Sequence, residues 1–478
     1  MISSYALIYL AAQALPAVIS FLALILYTHL LSPAEYGVYV IGTSIAGIIS
    51  GVFFSWIIRA VSRYQAGSPE LDFRGEALVG YGGTVAVVSC LLPIVVLVVR
   101  PNVDVGVLGA SLFLSFSTNA FVVSQEFQRA RLNARGYTIA AQIRSLLSLA
   151  LGYGVILLGG GGLSLLIATG ASFVIANFFC FQRNTGKLPR LSSSHYLMQF
   201  VRYGVPFSLG AATIVLHSTL DRLGVAYLLG PSAAGYYGLA AETTRQLMII
   251  LASSVASSMF PIVFRTFSEA GAAATRSRLS EGLEFLLALT VPVAVWVAIS
   301  ADVIAGTLVG SEYRTQFAML LPVLVVARMF SAVNQFYLQV SFQLAEKPLL
   351  QVIHDTLVCV LNAALLFWLT LNFGLLGTAT SVLVAEALGI PIGILLSRKA
   401  FKLPFNGWGT ARVFAATAMM AMVTYAAKAI LAGHGALTLL GVTCAGGVTY
   451  LGLAVLFDVA GVRSLITPFL SPHSVPAE

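Results

Sequence analysis

The chain has 478 residues, 58% of them hydrophobic and only 9% charged, with a mean hydropathy of +0.92. Water-soluble domains carry about 25% charged residues, so a soluble globular protein is excluded. The net charge of +8 is scattered over short connectors between apolar runs, a distribution that argues against a nucleic-acid partner.

Apolar runs predict membrane-spanning helices near 5–29, 38–60, 77–99, 105–126, 138–159, 162–182, 203–229, 235–260, 283–306, 316–340, 349–371, 375–397, 411–432 and 436–457. A helix needs ~20 apolar residues to cross ~30 Å of hydrocarbon, and the ~10-residue alternation of a membrane β-barrel is absent. The expected fold class is therefore all-α integral membrane with about 14 transmembrane helices. No Lys or Arg precedes Arg59, so the first run reads as a span and not as a cleavable signal peptide. Cys90, Cys180, Cys359 and Cys444 fall in four separate apolar runs and read as helix-packing residues. The sequence holds no GxxxxGK[ST], HExxH or paired CxxC pattern, so no nucleotide, cofactor or metal site is expected.

Alternate connectors differ sharply in charge. One set holds nineteen Lys and Arg, among them Arg63, Arg131, Lys187, Arg278, Lys347 and Lys402, whereas the opposite set holds only Arg100 and Arg314. The positive-inside rule then puts both termini in the cytoplasm, with the protein in the cytoplasmic (inner) membrane, and membrane lipids as secondary partners of the basic loops. Tyr36, Tyr39, Tyr236 and Tyr237 come out at the opposite interface, where an aromatic belt is the ordinary expectation.

Residues 30–39 read LLSPAEYGVY and residues 228–237 read LLGPSAAGYY, an L-L-x-P-x-x-x-G-x-Y pattern repeated at an offset of 198. Pro suits the start of a helix, and Gly is expected to relax the backbone where that helix begins. Six spans separate the copies, which predicts a parallel repeat of two six-helix halves. A weaker echo pairs the GGGG turn at 159–162 with the NFG turn at 372–374. The expected organisation is an N-terminal lobe over 1–190, a second lobe over 191–400, and two further helices with a short tail over 401–478.

LSPAEYGVY at 31–39, Asp221-Arg222 followed by LLGPSAAGYYGLAAE, and NAALLFWLTLNFGLLGTATS at 362–381 together resemble polysaccharide flippases of the O-antigen (Wzx) type. These belong to the multidrug/oligosaccharidyl-lipid/polysaccharide exporter superfamily. The resemblance implies two six-helix lobes in a MATE-like parallel repeat plus two C-terminal helices. It also implies transport of an oligosaccharide on an undecaprenyl-pyrophosphate carrier from the cytoplasmic to the periplasmic leaflet, with a polysaccharide polymerase and a chain-length regulator as partners.

The charges inside the spans are the candidate site residues. Arg144, Arg222, Arg245 and Arg328 would suit a pyrophosphate, because guanidinium binds phosphate bidentately and stays protonated. Asp221, Glu242, Glu386 and Asp355 are candidates for coupling to a proton or sodium ion. Internal pairing, Asp221 with Arg245 or Glu242 with Arg222, is the structural alternative. Lys428, near a helix end, is expected to snorkel to the interface, and His217 to be a packed polar residue. A drug/cation antiporter of the same superfamily remains as a second reading, though its cavity should be acidic or apolar. A membrane polymerase or acyltransferase would need a large external loop, and the longest connector, near 261–282, has about twenty residues.

Overall fold

In a computed structural model, the described backbone covers residues 2–68, 70–99, 104–182, 194–433 and 435–463. Arg100, Arg183, Lys187, Arg190 and the expected lobe boundary at 190 lie outside it. Among the described residues every regular element is helical: α1 (Ile2–Leu30), α2 (Pro33–Ile49), α3 (Ser55–Gly67), α4 (Arg74–Val99), α5 (Val105–Ala130), α6 (Ala134–Leu157), α7 (Gly162–Gln182) and α8 (Ser194–Leu229). There follow α9 (Pro231–Ile299), α10 (Ala301–Leu308), α11 (Arg314–Val333), α12 (Gln339–Leu344), α13 (Pro348–Ser397), α14 (Gly407–Ile430) and α15 (Ala436–Leu456).

The helix starts follow local chemistry. Ser32, Asp104, Asn133 and Asn406 are N-caps whose side-chain oxygens accept backbone N–H groups of the first turn, and Pro33 occupies the first position of α2. Single π turns join α2 to α3 (Ser50–Phe54) and α11 to α12 (Asn334–Leu338), so each pair runs on as one helix. Two long elements do the opposite. At ~1.5 Å per residue the 69 residues of α9 would measure ~100 Å, far more than a membrane is thick. The backbone breaks at Gly271 (φ 75°), and the chain folds back so that Met259 lies against Gly282. α13 breaks at Gly374 (φ 59°, ψ −138°), and Thr370 and Thr378 hydroxyls meet at 2.8 Å across the hairpin.

Residues 261–282, read above as a connector, are thus helical on both sides of the Gly271 break, because nothing but that glycine interrupts the helical backbone there. With α9 and α13 counted as two each, the two π-joined pairs as one each, and the short α10 aside, the described chain holds fourteen long helices. Nine of the described helices are long and apolar enough to cross a membrane. Large apolar side chains such as Phe367, Trp368, Phe373 and Trp408 are exposed, as expected of surfaces that meet lipid.

The helices divide into two compact units, residues 1–238 and 239–478. In the first, α5 and α6 pack on α7, α1 on α6, and α3 on α8, around Phe54, Ile57, Val61, Phe73 and Phe200. Tyr64 stacks on Phe200 with centroids 5.2 Å apart. In the second, α11 packs on α13 and α14 on α15, with Tyr313, Phe317, Leu320, Leu324 and Phe342 fully enclosed.

Candidate transport site

The repeated motif builds its own contact. The carbonyl oxygen of Pro231 sits where a Cβ on Gly37 would be, and the carbonyl oxygen of Pro33 sits where a Cβ on Gly235 would be. The offset of 198 makes the two contacts equivalent, so the motif copies at the starts of α2 and α9 clasp one another reciprocally. Neither Gly37 nor Gly235 has a positive φ. Their glycine identity serves close backbone approach, not the backbone relaxation expected from sequence.

Around the clasp the copies differ. Glu35 Oε2 accepts the Gly162 N–H at 2.5 Å, so the first copy holds the start of α7 with a carboxylate. At the matching position of the second copy stands Ala233. Tyr237 is fully buried and its hydroxyl donates to Asp221 Oδ2 at 2.8 Å, while Asp221 Oδ1 accepts the Arg222 N–H at 2.9 Å. Tyr36 is buried as well. An aromatic belt therefore does not describe these two tyrosines, because each packs inward against the protein.

Arg144 of α6 lies with its guanidinium 5.0 Å from the Phe173 ring centroid, a cation–π contact. Arg222, next to Asp221 on α8, is half-buried. In the second unit Glu242 and Arg245, three residues apart on α9, form a bidentate pair. Arg245 Nε donates to Oε2 at 3.0 Å and Nη2 to Oε1 at 2.5 Å, and Gln246 adds a bond to Oε1 at 2.8 Å. One fork of the guanidinium is so engaged, which leaves its other edge of N–H donors at a side chain 36% exposed. Arg328 is buried, near the middle of the continuous helix that α11 and α12 form through the π turn.

The remaining acids belong to a buried polar line in the second unit. Asn334, on the π turn, donates through Nδ2 to Glu386 Oε2 (2.8 Å) and to the Glu386 carbonyl (2.9 Å). Five residues on, Gln339 donates to Asp355 Oδ1 (3.0 Å) and accepts from Gln351 (3.0 Å). His354 Nδ1 is 3.1 Å from Asp355 Oδ1, and its Nε2 is 3.0 Å from the Gly389 carbonyl, one turn from Glu386. Asn334 Oδ1 is buried with no hydrogen-bond partner among the described residues. Arg328, Glu386 and Asp355 were expected to matter. Asn334, Gln339 and Gln351 were not, because an isolated amide in an apolar run carries no sequence signal.

Lys428 reaches a neighbouring helix end, where its Nζ donates to the Ile299 carbonyl at 2.7 Å and pairs with the exposed Asp302 at 2.6 Å.

Among solved structures the chain is similar to an inward closed conformation of the lipid II flippase MurJ (TM-score 0.74, 14% identity, 96% of this chain and 99% of that one). It is also similar to an inward-facing MATE multidrug transporter of the MOP superfamily (TM-score 0.63, 14% identity, 82% and 97%). A probable low-salt glycan biosynthesis flippase, Agl15 of Haloferax volcanii, is 26% identical over 210 residues, 44% of this chain. The match spans 42% of that relative's length. The family model described as polysaccharide biosynthesis protein matches residues 26–318, more than half of the chain. The chain belongs to the polysaccharide biosynthesis protein family and has the multi-pass helical fold of the multidrug/oligosaccharidyl-lipid/polysaccharide exporter superfamily.

Proposed function

We propose that this protein flips an oligosaccharide carried on undecaprenyl pyrophosphate from the cytoplasmic to the outer leaflet of the inner membrane, by ion-coupled alternating access of two six-helix lobes, 1–190 and 191–400. The observation that carries the transport reading is the reciprocal glycine clasp. Two equivalent helix starts that meet by close backbone approach form a contact that can part and re-form as one unit.

The cargo follows from the arginines. Arg144, Arg222, Arg245 and Arg328 are four fixed cations in apolar helices, which suits a pyrophosphate and repels the cationic substrate of a drug antiporter. The Haloferax relative, called a glycan biosynthesis flippase, supports the same class of cargo. For coupling, the buried Glu386 carboxylate and the open Oδ1 of Asn334 offer adjacent acceptors for a proton or a sodium ion. Asp355 with His354 extends the line, while Asp221 accepts from Tyr237 and Glu242 pairs with Arg245. A polymerase and a chain-length regulator would consume the delivered glycan.

The test is export of surface glycan in a strain lacking the chromosomal copy. The Arg245→Gln, Arg328→Gln double variant is expected to lose export at normal membrane abundance. Normal export by that variant at normal abundance would refute the pyrophosphate reading.

A further inference from the structure

A cavity of about 460 Å³ lies in the second unit, between α10, the last turn of α14 and the first turn of α15. None of the transport residues lines it. Its polar lining brings Asp302, from the first turn of α10, against Lys428, from the last turn of α14, at 2.6 Å. Two of the three ammonium donors of Lys428 go to Asp302 and the Ile299 carbonyl, and the third has no partner among the described residues. The Asp302 side chain is 63% exposed, so its carboxylate keeps acceptor capacity toward the cavity. Small residues, Gly306, Ala429, Ala432 and Gly433, make part of the remaining wall, and Tyr425 closes one side. Gly435, the N-cap of α15, supplies no side-chain cap, so amide donors of that first turn also border the space.

The surroundings decide what kind of ligand reaches this cavity. Tyr425, Ile430, Leu437 and Leu440, on the same helix ends, are all more than 60% exposed. In a membrane protein such faces meet acyl chains, so the ligand enters from the lipid. One fixed cation beside one fixed anion complements a headgroup that itself carries both signs. A purely anionic headgroup would gain Lys428 and be repelled by Asp302.

We propose that this cavity binds a zwitterionic phospholipid with a primary ammonium headgroup, phosphatidylethanolamine by chemical type. Its phosphate sits at Lys428 and its ammonium at Asp302, with the acyl chains along α14 and α15. A primary ammonium donates three N–H bonds to Asp302, whereas the quaternary ammonium of phosphatidylcholine donates none. The bound headgroup bridges α10 to the C-terminal helix pair, which gives those two helices a role as a lipid-held brace independent of the transported cargo.

The experiment is native mass spectrometry of the purified full-length protein, stripped of lipid and offered equal amounts of phosphatidylethanolamine, phosphatidylcholine and phosphatidylglycerol. The wild type is expected to retain one phosphatidylethanolamine about tenfold over phosphatidylcholine, the value of one charge-assisted hydrogen bond. A Cβ on Gly306 meets no atom within 4 Å and Gly306 lines the cavity, so Gly306→Leu should occupy part of it and abolish that retention, with the melting temperature of the lipid-free protein measured alongside and expected to stay near the wild-type value. Asp302→Asn, which keeps the cavity, should shift the preference to phosphatidylglycerol. The proposal is overturned if the wild type shows no preference or favours the anionic lipid. It is overturned equally if Asp302→Asn leaves the order of the three lipids unchanged, or if Gly306→Leu still retains phosphatidylethanolamine.

Discussion

Arg328 carries a charge mid-way along a buried helix, where insertion costs roughly 2.5–3.5 kcal/mol for each such residue. Arg328→Lys should retain part of the export activity and Arg328→Gln almost none, at equal membrane abundance, because Lys keeps the charge but loses the bidentate fork. Arg245 pairs with Glu242. Removing Glu242 alone leaves an unbalanced charge and should lower abundance. Glu242→Gln combined with Arg245→Gln should restore abundance but not export, and recovery of both would assign the pair a purely structural role. Tyr237→Phe removes the buried donor to Asp221 and should cost about 1.5–3 kcal/mol of stability, read as a lower melting temperature in detergent. Outside the membrane, the hydrogen-bonded Arg74 guanidinium holds the Asp72 carboxyl below the ordinary carboxylate range, and Arg131 adds to this. A depressed folded-state value means the contact stabilises fully above the unfolded value near ~3.9 and is lost as pH falls through the folded one. Asp72→Asn should therefore lower the melting temperature slightly at pH 7, where the contact is present in full, and change little below the folded-state value, so that this part of the acid sensitivity disappears.

At the scale of elements, two features are legible in the sequence and one has a different meaning in the fold. The L-L-x-P-x-x-x-G-x-Y repeat and the NFG turn both mark places where helices begin or break. Gly374 has φ 59° and ψ −138°, a region open to glycine alone, so Gly374→Ala should cost about 1–3 kcal/mol and reduce membrane abundance. Gly37 and Gly235 could not be understood from their own segments. Each is small because of a carbonyl some 200 residues away in the chain. Gly37→Val is expected to hold the clasp apart, so that export fails while the protein still accumulates. Full export by this variant would show that the clasp need not close. Glu35 was likewise visible only as a motif letter, its target being the first amide of α7.

Over the whole molecule, the skewed distribution of Lys and Arg makes a topological prediction. Single cysteines at 104 and 233 should react with a membrane-impermeant reagent in intact cells, and one at 402 should not. Labelling at 402 from outside would reverse the proposed orientation. The sequence by itself determined that this is a multi-pass helical membrane protein, because hydrophobicity and helix length against a ~30 Å slab are properties of single segments. It also determined the family, through short motifs whose residues sit next to one another. Only the tertiary structure decided which polar groups meet across helices. Asp221 takes Tyr237, Lys428 takes Asp302 and Glu386 takes Asn334, whereas the spacing of Glu242 and Arg245, three residues apart on one helix, could be read from the sequence. The reason is physical: in an apolar medium a charge is satisfied by whatever donor or acceptor folding brings within about 3 Å, and separation along the chain does not encode that distance.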